Sequence, residues 1–200
     1  MEDYYLCIIL NTIITRCQWC EGDALYIKYH DNEWGVPVFE TQKQFESLSL
    51  EIFQAGLSWI TILKKRENLR KAFCQFDYRK VALYRDNKIE ELMRDSGLIR
   101  NKLKIEATIN NAQCLIEFEK NGDSFSDYLW SFVNHKTLQN NYEKLNSVPA
   151  QTALSSVISK ALKKHGFKFV GPKIVYSHMQ ASGLVNDHLK NCFRHKQLKG

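Results

Sequence analysis

Residues 154–173, LSSVISKALKKHGFKFVGPK, hold the clearest helical pattern of the sequence together with the turn that follows it. Apolar side chains recur at the spacing of one helix face, namely Leu154, Val157, Ile158, Ala161 and Leu162. This periodicity predicts an amphipathic helix that packs one face against a core. Gly166 then lies where a helix C-cap belongs, and Pro172 suits the first turn of a second helix. The stretch therefore predicts two helices joined by a short hairpin.

The same helical spacing recurs along most of the chain. Two further apolar stripes are Phe45, Leu48, Ile52 and Phe53, and Ile105, Ile109, Ala112 and Ile116. Expected helix ends are Gly97, Asn121-Gly122, Gly166 and Gly183, and expected N-caps are Asp77, Asp123 and Thr152. No run of alternating apolar and polar residues is bounded by hairpin turns, and residues 137–150 have the composition of a long polar loop. We therefore predict an all-α fold of about eight to ten helices.

Composition is typical of a soluble globular protein, because 44% of the 200 residues are hydrophobic and 25% are charged. The run 4–10 is apolar, but Glu2 and Asp3 precede it where an export signal carries positive charge. We therefore expect no signal peptide and no membrane span. The six cysteines of such a chain are expected to stay reduced.

Basic residues are concentrated in the last quarter of the chain. Residues 151–200 carry nine Lys and Arg against one acidic residue, Asp187, whereas residues 1–150 carry 19 basic and 21 acidic residues. A basic segment on a near-neutral body favours a surface that binds a polyanion. The alternative is a lysine-rich helix that is merely solvated.

The hairpin within 163–173, KKHGFKFVGPK, is a candidate phosphate site. A short turn that leads into a helix N-terminus leaves backbone N–H groups free, and Lys168 and Lys173 add positive charge beside it. Gly171 and these two lysines are therefore candidate DNA contacts. The element resembles the helix-hairpin-helix that grips the DNA backbone, although Phe169 occupies the place of the first glycine of a G-x-G hairpin. An ordinary turn between helices is the alternative.

Two groups of Cys and His are candidates for a shared metal site. The stretch 185–192, VNDHLKNC, places His188 and Cys192 four positions apart, on one face if it is helical. Three more candidate ligands lie near the other end of the chain: Cys17, Cys20 and His30. Zinc binds thiolate and imidazole in a closed tetrahedron, so two ligands from each end would join the terminal segments. Spacing leaves the choice between the two N-terminal cysteines open, and buried unliganded residues or a redox C-x-x-C are the alternatives.

The chain resembles the bacterial 3-methyladenine DNA glycosylase I family in six ordered segments: CQW (17–19), LYIKYHDNEWGVP (25–37), FQAGLSWITILKKREN (53–68), WSFVNH (130–135), SKALKKHGFKFVG (159–171) and GLVNDH (183–188). The resemblance implies a helical fold of the helix-hairpin-helix glycosylase superfamily, with a glycosylase domain over residues 16–200. It also implies one structural zinc that joins the N- and C-terminal segments. The zinc ligands would be Cys17, His30, His188 and Cys192, and Cys20 would have no part in the site.

The resemblance further implies a monofunctional enzyme of DNA repair that hydrolyses the N-glycosidic bond of 3-methyladenine. Its substrate would be alkylated double-stranded DNA, from which the damaged base is flipped into an aromatic pocket that holds a carboxylate. Such an enzyme is expected in the bacterial cytoplasm, as a monomer associated with nucleoid DNA. The alternative is a zinc-containing DNA-binding module without catalysis, and release of free 3-methyladenine would distinguish the two.

The resemblance makes Glu51 the candidate catalytic residue, and it interrupts an apolar helix between Leu50 and Ile52. By resemblance, its carboxylate would hydrogen-bond the edge of the methylated purine. An acid on the helix surface is the alternative. Four aromatic residues would stack on the base or form the walls around it: Tyr29, Trp59, Trp19 and Trp34. Plain core packing is the alternative for each of them, and above all for Trp34. Leu57 is a candidate wedge that fills the space left by the flipped nucleotide.

Two features receive no role from the resemblance. Asp187 lies where the wider superfamily has an aspartate after the hairpin, but related enzymes of this family give it no function. Residues 1–15 have no counterpart in the family. They are expected to be either the product of an upstream start codon or an extra element whose apolar residues pack on the body, and neither gives them chemistry.

Overall fold

Ten α-helices build most of residues 14–199, the part of the chain that the computed structural model describes. In chain order they are α1 (Ala24–Asn32), α2 (Thr41–Gln54), α3 (Trp59–Ala72), α4 (Tyr78–Val81), α5 (Asp86–Arg94), α6 (Lys102–Lys120), α7 (Phe125–Ser131), α8 (Ala153–Lys164), α9 (Pro172–Ala181) and α10 (Phe193–Gln197). Short 3-10 helices cover Gln18–Cys20, Cys74–Phe76 and Leu145–Ser147. The predominantly helical fold and the expected number of helices are confirmed.

Two short strands correct the strictly all-α expectation. β1 (Leu138–Gln139) and β2 (Val185–Asn186) pair in parallel, with Leu138 opposite Val185. Strands of two residues are too short to produce an alternating pattern, so the sequence carries no signal for them. The segment 137–150, predicted to be a loop, therefore contains β1 and a 3-10 helix. The strand pair places this segment beside the metal-ligand stretch.

Most predicted helix ends are present, and two are wrong. Thr152 caps α8 in a reciprocal capping box with Ser155, Asp77 caps α4, and Gly122, Gly166 and Gly183 follow helix ends with positive φ. The α7 N-cap is Ser124 rather than Asp123, because the Ser124 hydroxyl accepts the Asp127 N–H at 3.2 Å. Gly97 lies in a turn beyond α5, where its N–H donates to Asp95 Oδ1 at 2.7 Å.

The buried face of α8 is rotated from the predicted stripe. Ile158 and Leu162 are fully buried, but Val157 is 53% exposed and Ser159 lies inside instead. Ser159 tolerates burial because its hydroxyl donates to the Val170 carbonyl at 2.6 Å. The stripes predicted for α2 and α6 do enter the core, except that Ile116 is only partly buried against it.

The extension predicted for residues 1–15 lies largely outside the described residues, and so does the packing expected of its apolar side chains. Of its last two residues, Ile14 is exposed and the Thr15 carbonyl accepts the Phe193 N–H at 3.0 Å. Within residues 14–199, no helix combines the length and apolar character needed to cross a membrane.

Candidate active site and metal centre

An open cavity of about 310 Å³ lies among α1, α2, α3 and α9, with the segment 145–150 along one side. The five residues predicted for the base pocket all line it: Glu51, Trp19, Tyr29, Trp34 and Trp59. Tyr29 comes from α1 and Glu51 from α2, whereas Trp59 begins α3. The fold therefore brings side chains from three helices and the N-terminal segment to one cavity.

Glu51 lies on the buried face of α2, with 5% of its surface exposed. Burial raises the pKa of Glu51 to about 8, because removal from water penalises the charged carboxylate. No hydrogen bond or neighbouring charge within residues 14–199 opposes this effect. At neutral pH the carboxyl group is therefore largely protonated until a cationic group comes beside it.

Aromatic rings form much of the remaining wall. The rings of Tyr29 and Trp59 lie 5.2 Å apart between centroids, at an angle of 47°. Trp19 meets Trp34 edge-on at 4.9 Å. The Trp59 indole N–H is buried and donates to no partner in the described part of the chain. Ring faces together with an uncommitted donor suit a flat, electron-poor heterocycle.

Among the cavity residues that were not predicted, two could have been identified from helical spacing. Tyr26 precedes Tyr29 by three positions on α1, and Gln54 follows Glu51 by three positions on α2. Residues three apart share a helix face, so each points to the same cavity as its neighbour. Burial raises the pKa of the Tyr26 phenol, which therefore remains a hydrogen-bond donor.

Asp187 also lines the cavity, but its carboxylate is saturated with protein donors. It accepts hydrogen bonds from Tyr176 Oη at 2.5 Å, Gln180 Nε2 at 2.7 Å and Asn140 Nδ2 at 2.6 Å. Only 2% of Asp187 is exposed. These contacts join α9 to the residue after β1, so Asp187 fixes one wall of the cavity.

Beside the cavity, four buried side chains form a cluster that could hold a metal ion: Cys17, His30, His188 and Cys192. Their ligand atoms all lie within 4.8 Å of one another. Three sulfur–nitrogen distances are 3.4, 3.6 and 3.8 Å, from Cys192 to each histidine and from Cys17 to His188. A tetrahedral zinc with ordinary bond lengths places sulfur and nitrogen ligands about 3.6 Å apart. The donor set and its spacing therefore fit zinc.

Outer contacts orient both imidazoles of the cluster. His30 directs Nε2 at the cluster while Nδ1 lies 2.7 Å from Asp31 Oδ1. His188 directs Nδ1 at the cluster while Nε2 lies 3.0 Å from the Trp34 carbonyl. Arg16 holds Asp31 through two nitrogens, at 3.0 and 2.8 Å. Such partners fix the ring tautomers that metal coordination requires.

Cys20 lies outside this cluster. Its thiol is fully buried and donates to the Cys17 carbonyl at 3.1 Å. Burial raises the pKa of Cys20 to about 11, so the group remains a thiol at neutral pH. The choice that spacing left open therefore falls geometrically on Cys17. Within the described residues, Cys20 takes no part in the cluster.

The hairpin between α8 and α9 is held against α6 by side-chain hydrogen bonds. Asn111 accepts the Lys168 N–H at 2.7 Å and donates to the Lys168 carbonyl at 3.1 Å. Phe169 adopts a φ of 57° where a hairpin would favour glycine, and its side chain is 40% exposed. A Cβ at Gly171 would meet no atom within 4 Å, so the backbone there is open to close approach. Lys168 and Lys173 are exposed.

The turn 54–58 connects α2 to α3 and presents Leu57 at its tip. Leu57 is 38% exposed. Gly56 has a φ of 81°, a conformation that favours glycine. Gln54 spans the turn, because its side-chain amide donates to the Leu57 carbonyl at 2.9 Å. The predicted wedge residue therefore lies directly beyond the helix that carries Glu51.

Comparison with known proteins places this site in a family. The family model described as methyladenine glycosylase matches residues 19–195. DNA-3-methyladenine glycosylase 1 of Escherichia coli (strain K12) is 54% identical over 177 residues, which cover 88% of this chain and 95% of that protein. DNA-3-methyladenine glycosylase of Haemophilus influenzae is 52% identical over 178 residues, which cover 89% of this chain and 96% of that protein.

Solved structures agree with the sequence match. A crystal structure of 3-methyladenine DNA glycosylase I has a TM-score of 0.88 at 51% identity and covers 90% of this chain and 98% of that chain. The enzyme from Staphylococcus aureus, solved for its recognition of 3-methyladenine, has a TM-score of 0.86 at 39% identity and covers 90% and 96%. On these matches, the chain belongs to the methyladenine glycosylase family.

Proposed function

We propose that the protein is a DNA repair glycosylase that hydrolyses the N-glycosidic bond of 3-methyladenine in alkylated double-stranded DNA. The observation that carries this proposal is a buried carboxyl group inside an aromatic cavity, without a hydrogen-bond partner among residues 14–199. The relatives from E. coli and H. influenzae are named for this activity. A variant of a related enzyme has been solved in complex with 3-methyladenine, at 39% identity to this chain.

The cavity suits a base that carries positive charge. Methylation at N3 of adenine makes the purine cationic and weakens its glycosidic bond, so departure of the base needs little help from a general acid. The protein must instead extrude the nucleotide and prefer the charged base. We infer that Tyr29 and Trp59 stack on or abut the base, and that Trp19 and Trp34 form its walls.

Glu51 gives the pocket its preference for a cation. Because its pKa is about 8, the carboxyl group is protonated in the free protein at neutral pH. A methylated purine beside it favours the ionised form, and its binding below about pH 8 would release a proton. The carboxylate then accepts a charge-assisted hydrogen bond from the purine edge.

Hydrolysis without a covalent enzyme intermediate is consistent with the cavity lining. The residues that line the cavity within 14–199 include no lysine, whereas a Schiff-base mechanism needs a free amine. A monofunctional glycosylase uses water as the acceptor of the sugar. We therefore infer that the products are free base and an abasic site with an intact backbone.

We infer that Cys17, His30, His188 and Cys192 hold one zinc ion. Bound there, the ion would act as a structural tie with four protein ligands and no open position for catalysis. The spacing of the four side chains and the outer contacts of both imidazoles support this assignment. The zinc would join the N-terminal segment to the C-terminal segment and steady the adjacent wall of the cavity.

We propose that the hairpin and the turn 54–58 contact the DNA. Lys168, Gly171 and Lys173 would bind phosphates, and Leu57 would fill the stack after extrusion. Lys168→Ala and Lys173→Ala should each weaken binding similarly across DNA sequences and flatten its dependence on log salt by roughly one unit. Lys88→Ala on α5, where Lys88 pairs with Glu91, is the matched control and should leave the slope unchanged. If the salt dependence of binding is unchanged in both hairpin variants, the hairpin does not contact the DNA phosphates.

Release of free 3-methyladenine from alkylated duplex DNA tests the central proposal. Wild-type protein should release the base and leave an intact strand with an abasic site, whereas Glu51→Gln should release it much more slowly. The rival function, a DNA-binding module without catalysis, explains the hairpin but gives no reason for a buried carboxyl group among aromatic rings. DNA binding without base release would favour that rival.

We also propose that the protein works as a monomer on nucleoid DNA in the bacterial cytoplasm, with a glycosylase domain over residues 16–200. The bacterial relatives, matched over 95% and 96% of their length, support the domain span. Light scattering of the purified chain and fractionation of the source cells would test it.

A further inference from the structure

Lys104, in the first turn of α6, is a buried amine that the proposed chemistry does not use. Only 5% of its surface is exposed. Within residues 14–199 it pairs with no carboxylate, and it does not line the base cavity. Its Nζ instead donates to the carbonyls of Phe53 at 2.8 Å and Ala55 at 2.6 Å. A lysine is rarely buried without an acidic partner, so the hydrogen bonds of Lys104 to these two carbonyls require an explanation.

The two carbonyls belong to the end of the helix that carries Glu51. α2 ends at Gln54, and Ala55 is its C-cap. The last carbonyls of a helix lack partners within the helix and carry partial negative charge, so a cation placed there stabilises the end. Lys104 thus holds the junction between the pocket helix and the turn that presents Leu57.

Besides local hydrogen bonds such as that from Gln54 to the Leu57 carbonyl, few contacts restrain this turn. A Cβ at Gly56 would meet no atom within 4 Å, and Leu57 and Ser58 are exposed. Inserting a side chain into a base stack pushes back on the turn that carries it. A turn anchored only by its own backbone would yield under that load, whereas two charge-assisted hydrogen bonds resist it.

The same helix also anchors the hairpin. Asn111 lies seven positions after Lys104 on α6 and holds the backbone of Lys168 through two hydrogen bonds. Seven residues of α-helix span about 10 Å and return to nearly the same face. One rigid helix therefore sets the distance between the Leu57 turn and the hairpin.

We propose that Lys104 is a positioning residue that fixes the turn 54–58 against α6 for extrusion of the damaged nucleotide. The inference rests on the proposed glycosylase function. It predicts that loss of the amine impairs entry of the base from a stacked duplex and spares the pocket that receives it. A merely structural role would impair both.

Lys104→Met removes the amine and keeps the length of the buried chain. Single-turnover release of 3-methyladenine would be measured from a paired duplex and from the same sequence with the lesion in an unpaired bulge. We expect the variant to lose 10-fold to 100-fold in rate on the paired duplex and less than 3-fold on the bulge. Its affinity for free 3-methyladenine should equal that of the wild type.

Two further variants keep the test decisive. If Lys104→Met melts at a much lower temperature than wild type, Lys104→Gln takes its place, because its uncharged side chain is one atom shorter and cannot make both charge-assisted hydrogen bonds. The same difference between paired and bulged substrates is then expected. In a Leu57→Ala background, Lys104→Met should add less than a 3-fold further loss on the paired duplex, because both changes disable the same step. Asn111→Ala is the matched control on α6 and should weaken DNA binding on both substrates alike.

The outcomes separate this inference from the proposed function. Equal losses on paired and bulged substrates, or no loss on either, would overturn the role of Lys104. Failure of the wild-type protein to release the base from either substrate would instead overturn the glycosylase function. A full additional loss in the Leu57→Ala background would show that Lys104 does not act through the turn.

Discussion

The Cys/His cluster and the aromatic cavity lie side by side, but their buried polar groups differ in whether they have hydrogen-bond partners. In the cluster, both imidazoles have a second partner, and the Leu189 N–H donates to Cys17 Sγ at 3.3 Å. In the cavity, neither the Glu51 carboxyl group nor the Trp59 indole N–H has a partner within residues 14–199. Trp34 belongs to both, because its ring lines the cavity and its carbonyl accepts from His188.

The polar groups of the cluster have partners and stabilise the fold, whereas those of the cavity remain available to a ligand. A buried polar group with partners contributes to stability, whereas one without partners costs about 1–3 kcal/mol. The fold recovers that cost only when something with complementary groups enters the cavity. The cluster is therefore expected to dominate stability, and the cavity to dominate binding.

Removal of a cluster ligand should have the largest effect. His188→Ala is expected to lose bound zinc and to lower the melting temperature by more than about 10 °C, because a structural zinc site contributes on the order of 10 kcal/mol of metal-binding free energy. Elemental analysis and a thermal scan would measure both. Undiminished zinc in this variant would show that His188 is not a ligand, and the contrast between the cluster and the cavity would then fail.

Removal of the charge at Glu51 should have a large effect on binding alone. Glu51→Gln is expected to weaken binding of 3-methyladenine roughly 10-fold to 100-fold, because it exchanges a charge-assisted acceptor for a neutral amide. Isothermal titration would measure the affinity for the free base. Glu46→Gln, on the same helix but paired with Arg70, is the control and should bind as wild type. If Glu51→Gln binds the free base with wild-type affinity, Glu51 does not bind the base.

The same substitution should stabilise the protein, in a way that depends on pH. The pKa of Glu51 is about 8 in the fold against 4.5 as a free group, so the folded state keeps a proton that the unfolded state releases. Wild-type unfolding free energy should therefore fall as pH rises from about 4.5 to 8, and then level off. Above pH 8, Glu51→Gln should exceed wild type by roughly 3 to 5 kcal/mol. Denaturant titrations with parallel pH profiles for both proteins would contradict this.

The cysteine outside the cluster should have the smallest effect. Cys20→Ala is expected to retain zinc and to lose about 1 kcal/mol of stability, because it removes one buried hydrogen bond to the Cys17 carbonyl. Cys17→Ala is the matched variant and should lose the metal. The reverse result, with zinc lost only from Cys20→Ala, would reassign the ligand.

The sequence predicts the four cluster residues but only some of the residues that line the cavity. The quoted segments of resemblance contain Cys17, Tyr29, His30 and His188, whereas Glu51 and Cys192 lie just outside them. The structure brings these residues to the cavity or to the cluster. Tyr26 and Gln54 were missed even though helical spacing pointed to them. The choice between Cys17 and Cys20 depends on backbone direction after Arg16, and spacing holds no information on it.

Features that depend on contacts between residues far apart in the chain could not be predicted from the sequence. Lysines near helix starts are ordinarily exposed, so nothing in the order of residues indicates that Lys104 is buried under the end of α2. The strand pair β1 and β2 is too short for a periodic signal. Ser159 replaces Val157 inside the fold because the Val170 carbonyl needs a donor, which only the packed hairpin reveals.

The cluster has a consequence for how the protein is made. It joins Cys17 to His188 across 171 positions and His30 to Cys192 across 162 positions. A chain emerging from the ribosome cannot assemble it until the residues around 188–192 have left the exit tunnel. Since Trp34 rests on His188 at 4.6 Å between ring centroids, the wall of the base cavity is completed in the same step. A nascent chain therefore has no complete cavity wall until synthesis has passed Cys192.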